Sequence, residues 1–162
     1  MNTQPAKKQI LLCWVILALT SCLSFVGCSS FRIIVLKDPL TPEEHLNLGV
    51  TYEQSGELDD AIKEYHLASK KLPIAYLYLG NAHFQKNEFP KAEAYYKKAI
   101  KREPQNADAY NNLAWLYYMK RENLTEGERL VLKAIELNPA KEEIYKDTLQ
   151  KIKELRKSEV SP

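Results

Sequence analysis

The chain has 162 residues, 27% of them charged and 10% aromatic, which is the composition of an ordinary globular protein and not of a disordered one. Its formal net charge of +2 comes from Lys7 and Lys8, because basic and acidic side chains balance each other after position 27. The charge therefore gives no support to a general nucleic-acid-binding surface.

The N-terminal segment has the three-part pattern of an export signal. Lys7 and Lys8 precede the charge-free apolar run ILLCWVILALTSCLSFVGC, which ends in small residues. The run is also just long enough to cross a bilayer, so an uncleaved anchor and plain secretion are alternatives to a cleaved lipoprotein signal. All the cysteines, Cys13, Cys22 and Cys28, lie in this run. The rest of the chain therefore offers neither a disulfide nor a catalytic thiolate.

Two of these cysteines resemble the lipidated cysteine of bacterial lipoproteins, which an apolar residue and two small residues precede. Cys28, in FVGC with two serines after it, is favoured over Cys22, in LTSC, because lipidation at Cys22 would leave the apolar residues LSFVG exposed. The resemblance implies a signal peptide over 1–27 and a lipid anchor in the cell envelope. Since Ser29 and not aspartate follows Cys28, we expect the outer membrane, facing the periplasm, with an inner-membrane anchor as the alternative.

Residues 28–41 form a predicted tether before the first helix. Its RIIVL segment favours a strand but has no partner strand nearby in the sequence. Thr41 and Pro42 then predict a helix start, with a capping hydroxyl followed by proline at the first helical position.

From Pro42 onwards the sequence repeats a pattern of small and large residues. Gly49, Gly80 and Ala114 each follow a leucine, with a step of 31 and then of 34 residues. This pattern resembles the tetratricopeptide repeat, a helix–turn–helix unit of about 34 residues. The resemblance implies an all-α solenoid of three repeats over 42–72, 73–106 and 107–139, a capping helix over 140–157 and a frayed tail over 158–162.

Individual residues of the repeats predict local features. Gly80 and Ala92 are small where the two helices of a repeat should cross. Asn87 should lie in the turn between them, and Pro73 should end one repeat and begin the next helix. Gly127 should weaken its helix by about 1 kcal/mol relative to alanine. One apolar face is expected on the capping helix, made of Ile144, Thr148, Leu149, Ile152 and Leu155.

The sequence contains no recognisable catalytic motif. His45, His66 and His83 have no second ligand at a metal-like spacing, and there is neither a glycine-rich phosphate loop nor a nucleophile elbow. We therefore predict a non-enzyme without cofactor, metal or small-molecule substrate, in which His83 is a packing residue. A weak hydrolase that uses His45 or His83 is the alternative.

The family resemblance implies a concave groove lined by the first helix of each repeat. The inward positions are Leu46, Val50, Glu53 and Gln54, then Leu77, Asn81, Phe84 and Gln85, then Asn111, Asn112, Trp115, Tyr118 and Met119. Those predicted to bind a partner are Asn81, Phe84, Gln85, Asn111, Asn112, Trp115, Tyr118 and Met119.

The chemistry of this groove indicates what it binds. Some family members clamp a partner's C-terminal carboxylate with basic residues and asparagines, but Leu46, Val50 and Asp108 stand where polar or basic groups would be needed. The aromatic residues Phe84, Trp115 and Tyr118 instead suit an extended peptide or a partner helix, unless they only support helix packing.

The sequence thus predicts an exported, lipid-anchored adaptor that binds another envelope protein or peptide and no nucleic acid. The segment LKDPLTPEEHLNLG also resembles the entry to the repeat tails of some bacterial cysteine-peptidase-like lipoproteins. An accessory subunit or helper of an envelope enzyme or export system is therefore the second hypothesis.

Overall fold

The structure is a computed structural model that describes residues 38–160. Its helices are α1 (Pro42–Gln54), α2 (Leu58–Ala68), α3 (Ala75–Gln85), α4 (Phe89–Arg102), α5 (Ala107–Lys120), α6 (Leu124–Leu137) and α7 (Glu142–Val160), with a short 3-10 turn at Pro139–Lys141. The predicted signal peptide, both candidate lipidation sites and the RIIVL segment lie outside the described residues. Within 38–160, none of the helices has the length and apolar character that a membrane span requires.

Consecutive helices form three hairpins, α1 with α2, α3 with α4, and α5 with α6. Each hairpin also packs on the next one, and α7 packs on both α6 and α5. The predicted all-α solenoid of helix–turn–helix repeats with a C-terminal helix is therefore confirmed.

Glycine and tyrosine together set the distance between the helices of the first two repeats. A Cβ atom at Gly49 would lie 2.5 Å from the Tyr65 ring, and the Tyr96 ring likewise fills the place of a Cβ at Gly80. Both tyrosines are buried. Glycine is needed at these positions because a tyrosine from the second helix occupies the space of its side chain.

The third repeat uses a different pair at the same crossing. Ala114 stands at the glycine position and Val131 at the tyrosine position, and both are completely buried. The added methyl group of alanine is thus balanced by the shorter side chain of valine. Gly127 is also buried, and a Cβ there would lie 3.3 Å from Ile152 Cδ1 of α7.

A left-handed residue follows the first helix of every hairpin. Gly56, Asn87 and Arg121 have φ angles of 80°, 59° and 54° at equivalent positions, so Asn87 lies in the predicted turn. Glycine and asparagine tolerate this region, whereas arginine there is unfavourable. Asn123, in the third turn, adds a second left-handed residue with a φ of 52°.

Two predicted helix boundaries differ from the structure. α3 begins at Ala75 and not at Pro73, because residues 72–74 form a tight turn in which Ala75 N–H donates to the Leu72 carbonyl at 3.2 Å. A residue before proline avoids the helical region, which favours this turn. α7 continues to Val160, past residue 157, where the capping helix was expected to end.

The predicted apolar face of α7 was wrong at Ile144, which is 63% exposed. Its neighbour Tyr145 is only 1% exposed and lies in the core with Ile152. The physical reason is polar: the Tyr145 hydroxyl donates to Asp108 Oδ1 of α5 at 2.8 Å, which sets the rotation of α7 about its axis.

Candidate binding groove

Side chains of α1, α3 and α5, with one from α4, surround a concave pocket of about 280 Å³. Its lining residues are Glu53, Asn81, Phe84, Gln85, Tyr96, Asn112 and Trp115. The structure therefore brings together Asn81, Phe84, Gln85, Asn112 and Trp115 from the predicted set. The remaining predicted residues, Asn111, Tyr118 and Met119, lie on α5 outside this lining.

A chain of polar contacts joins the first helices of the three repeats across this pocket. Asn81 Oδ1 accepts hydrogen bonds from the Tyr96 hydroxyl at 3.0 Å and from Asn112 Nδ2 at 2.9 Å. On the other side, Gln85 Nε2 donates to Glu53 Oε1. Within the described residues, the Asn81 amide nitrogen and the Asn112 amide oxygen make no further hydrogen bond. The Asn81–Asn112 pair thus keeps an amide donor and an amide acceptor free for a ligand, which is what an extended backbone needs.

The tyrosines of the repeat crossings stay protonated hydroxyl donors. Burial raises the pKa of Tyr65, and its hydrogen bond to Glu53 raises this pKa further. Burial likewise raises the pKa of Tyr96. Both hydroxyls therefore keep the protons that they donate to Glu53 and Asn81.

The end of the groove nearest α7 is aromatic. The half-buried Trp115 ring lies 5.0 Å from the Tyr118 ring, centroid to centroid, and Lys151 Nζ of α7 lies 5.1 Å from the Trp115 centroid. The latter contact has cation–π geometry. Met119 is 48% exposed on the same helix. Sequence reasoning missed Lys151 because the repeat alignment ended at Pro139.

Asn111 has an unusual environment beside this aromatic end. Its amide oxygen is buried and has no hydrogen-bond partner among the described residues. Leaving such a group unpaired costs about 1–3 kcal/mol. An unpaired buried polar atom is uncommon in folded proteins and asks for an explanation.

Some positions predicted to face the groove belong to the core instead. Leu77 is only 8% exposed and lies in the hydrophobic core, so that prediction was wrong. Leu46 and Val50 are half-buried and pack against the same core. The first repeat therefore contributes Glu53 to the pocket. Tyr96, which packs against Gly80 at the helix crossing, also lines the pocket because its hydroxyl extends beyond the crossing to Asn81.

Asp108 connects α5 to α7. Its carboxylate accepts hydrogen bonds from the Tyr145 hydroxyl at 2.8 Å and from Lys141 Nζ at 2.7 Å. The acidic residue that stands in place of a basic clamp residue thus holds the C-terminal helix. Sequence reasoning missed this role because the partners are 33 and 37 residues away.

Two buried histidines bind carboxylates. His83 stacks on Tyr95, with ring centroids 5.1 Å apart, and its Nδ1 lies 2.7 Å from Glu88 Oε2. His45 Nδ1 lies 2.6 Å from Glu64 Oε2 and its Nε2 lies 3.1 Å from Asp38 Oδ2. These contacts give both side chains a structural role.

His66 is exposed on α2, with Tyr95 close to its ring. No cluster of metal-ligating side chains occurs in the part of the chain that the structure describes.

Comparison with known proteins identifies the repeat. Residues 74–142 match the family model described as tetratricopeptide repeat. The chain is 31% identical over 133 residues to human protein O-mannosyl-transferase TMTC2. This match covers 73% of this chain and 15% of that protein. It is 41% identical over 61 residues to Hsp70-Hsp90 organizing protein 3 of Arabidopsis thaliana, covering 38% of this chain and 11% of that protein. The chain thus spans only a small part of the length of these curated relatives.

Solved structures show the same fold. The first tetratricopeptide domain of human RPAP3 superimposes with a TM-score of 0.67 at 23% identity, covering 75% of this chain and 97% of that domain. The TPR2B domain of yeast Sti1, in complex with pHsp70, superimposes with a TM-score of 0.66 at 20% identity. The match covers 70% of this chain and 96% of that domain. The first tetratricopeptide domain of Spaghetti (RPAP3), bound to the HSP90 peptide SRMEEVD, has a TM-score of 0.64 at 21% identity. The match covers 74% of this chain and 96% of that domain.

The described part of this chain therefore has the fold of a tetratricopeptide-repeat solenoid, and residues 74–142 match the family model itself. Proteins of this fold generally serve as non-catalytic scaffolds for protein–protein interaction.

Proposed function

We propose that the protein is an exported, lipid-anchored adaptor that binds another envelope protein in its concave groove. The observation that carries the proposal is the pocket in which Asn81 and Asn112 lie beside Trp115, with the Asn81 amide nitrogen and the Asn112 amide oxygen unpaired among the described residues. The two similar domains solved with HSP90 and Hsp70 ligands support a peptide as the occupant.

The pocket favours an internal, extended segment of the partner. The Asn81 and Asn112 amides can pair with one peptide group, and a rigid half-exposed indole is a common interface anchor. A C-terminal carboxylate is a poorer ligand here, because Leu46 and Val50 are apolar and Asp108 accepts a hydrogen bond from Tyr145 of α7. Asn111, one turn before Trp115, offers its unpaired oxygen if binding opens the site slightly.

Site-specific photo-cross-linking in intact cells of the source organism tests the groove. A benzophenone amino acid at Gln85, exposed within the pocket, should capture a discrete partner. The matched control is Ala94, exposed on α4 and absent from the pocket lining, which should capture none. Equal capture from both positions would show that the groove is not the binding surface. The identity of the captured protein separates a structural partner from an enzyme that the adaptor assists.

The proposed anchor is lipid on Cys28, which then becomes the N-terminus of the mature chain. Several acyl chains hold a protein firmly on a bilayer, whereas a single chain binds only marginally. Metabolic labelling with palmitate should disappear in Cys28→Ser and persist in Cys22→Ser. The reverse result would assign the anchor to Cys22, and labelling of neither cysteine would leave an uncleaved anchor or plain secretion.

A further inference from the structure

A basic cluster lies where the α2–α3 loop meets the end of α4. Lys70, Lys71 and Arg102 line a small pocket of about 210 Å³, whose other lining residues are Ser69, Pro73 and Tyr76. Lys98 adds to this cluster, because its Nζ lies 4.2 Å from the centroid of the Tyr76 ring. We call these four basic residues, Lys70, Lys71, Lys98 and Arg102, the basic edge.

The charge of the basic edge is not neutralised within the solenoid. None of its members forms an ion pair in the described part of the chain, although Lys63, Lys91 and Arg129 elsewhere each do. The C-terminal ends of α2 and α4 carry about half a negative charge each, so they offset only about one of the four positive charges. The residues around this pocket therefore keep a net positive charge.

The basic edge lies on the side of the solenoid where the chain enters it. Because the hairpins are antiparallel, the start of α1, the end of α2, the start of α3 and the end of α4 share one side. Asp38, just before α1, is held to that side through His45, which also binds Glu64 of α2. Glu43 and Glu44 lie on the same side, in the first turn of α1, and are not part of the lining of the basic pocket.

We propose that the basic edge docks on the anionic phospholipid headgroups of the membrane that anchors the chain. This inference rests on the proposed lipid anchor, because residues 28–37 reach at most about 35 Å even when fully extended. The start of the solenoid therefore stays within this distance of the bilayer surface. Lysine and arginine pair well with the phosphate groups exposed there. The groove, whose lining residues are all different, remains available to a partner.

Vesicle flotation of the chain without its lipid tests this docking directly. Residues 29–162 suit the experiment, because 38–160 form a compact unit with its own core and a similar domain of RPAP3 has been solved by itself. The vesicles contain phosphatidylcholine alone or phosphatidylcholine with phosphatidylglycerol. We expect binding to the anionic vesicles only, and weaker binding at higher salt because ions screen the charges.

The matched variants separate this site from general charge. Replacing Lys70, Lys71 and Arg102 together by glutamine should weaken binding about a hundredfold, since each basic residue near the surface contributes a factor of about five. The control replaces Lys63, Lys91 and Arg129 by glutamine, which removes the same charge from other surfaces. Its loss of affinity for the vesicles should be at least tenfold smaller than that of the basic-edge variant. Circular dichroism confirms that both variants remain folded.

Two results would overturn the proposal. One is equal flotation of the two triple variants, which would show that binding depends on the net charge of the protein and not on the basic edge. The other is binding of inorganic phosphate, measured by titration calorimetry, without binding to anionic vesicles, which would assign the pocket to a small anion. Neither result bears on palmitate labelling or groove cross-linking, so failure of the docking is distinguishable from failure of the proposed function.

Discussion

Tyrosine rings take the place of glycine side chains where the helices of the first two repeats cross. This contact explains why Gly49 occurs with Tyr65 and Gly80 with Tyr96, since the tyrosine ring of the second helix occupies the space that a side chain at the glycine position would need. The same tyrosines reach past the crossing to polar residues of the groove. One residue pair thus sets both the helix spacing and part of the binding surface.

Gly80→Ala should therefore destabilise the solenoid. The new methyl group would collide with the buried Tyr96 ring, and overpacking of this kind costs about 1–3 kcal/mol. Gly127→Ala is the control, because its methyl group would lie 3.3 Å from Ile152 Cδ1, which a shift of a few tenths of an ångström relieves, and alanine gains about 1 kcal/mol in helix propensity. Urea denaturation should show a lower midpoint for Gly80→Ala than for Gly127→Ala. Equal midpoints would contradict the crossing geometry.

At the scale of single elements, the turn between α3 and α4 contains a carboxylate whose pKa is lowered by its neighbours. Hydrogen bonds from Lys91 and His83 lower the pKa of Glu88 from 4.5 to about 2. A carboxyl group whose pKa is lowered by folding stabilises the folded state above its unfolded pKa. That contribution is lost as the pH falls from 4.5 towards 2.

Glu88→Gln should remove this part of the acid sensitivity. Melting temperatures measured from neutral pH down to pH 2 should fall less steeply for the variant than for the wild type. Glu57→Gln is the control, because Glu57 occupies the equivalent turn of the first repeat and its side chain makes no hydrogen bond in the described residues. If both variants lose the same slope, the Glu88 contacts with His83 and Lys91 do not carry the effect.

The C-terminal helix depends on Asp108 for its attachment. Asp108→Ala would leave the buried Tyr145 hydroxyl without its acceptor, at a cost of about 1–3 kcal/mol in the free energy of unfolding. Lys141→Ala removes only an exposed ion pair with the same carboxylate and should change stability by less than about 1 kcal/mol. Thermal denaturation of the two variants compares these costs. A smaller loss for Asp108→Ala than for Lys141→Ala would argue against the hydroxyl contact.

At the scale of the whole molecule, the spacing of small residues predicts the three hairpins and the position of the groove. It works because Gly80 and Ala92 fill steric requirements that recur in every repeat. It fails where a contact joins distant parts of the chain. Tyr145 and not Ile144 is buried because Asp108 accepts a hydrogen bond from the Tyr145 hydroxyl. Lys151 contacts Trp115 from a helix outside the repeat pattern.

The groove itself shows the same limit. Asn81, Phe84 and Gln85 were predicted from their repeat positions and line one pocket, whereas Leu77 lies in the core. A repeat alignment gives the side of the helix but not the depth at which each side chain lies, because neighbouring helices decide how much of it is covered.

Melting and partner capture of Trp115→Ala, measured on the same purified protein, test the central claim most directly. Trp115 stands where the equivalent residues are Val50 and Asn81, so the repeat does not require an indole there. Truncating an interface anchor often costs 2 kcal/mol or more of binding free energy, so the variant should lose its partner, while Trp115→Phe should keep part of the binding. The melting temperature should change by only a few degrees. A large fall in melting temperature, with capture unchanged in the folded fraction, would assign Trp115 to the core and contradict its role as the anchor.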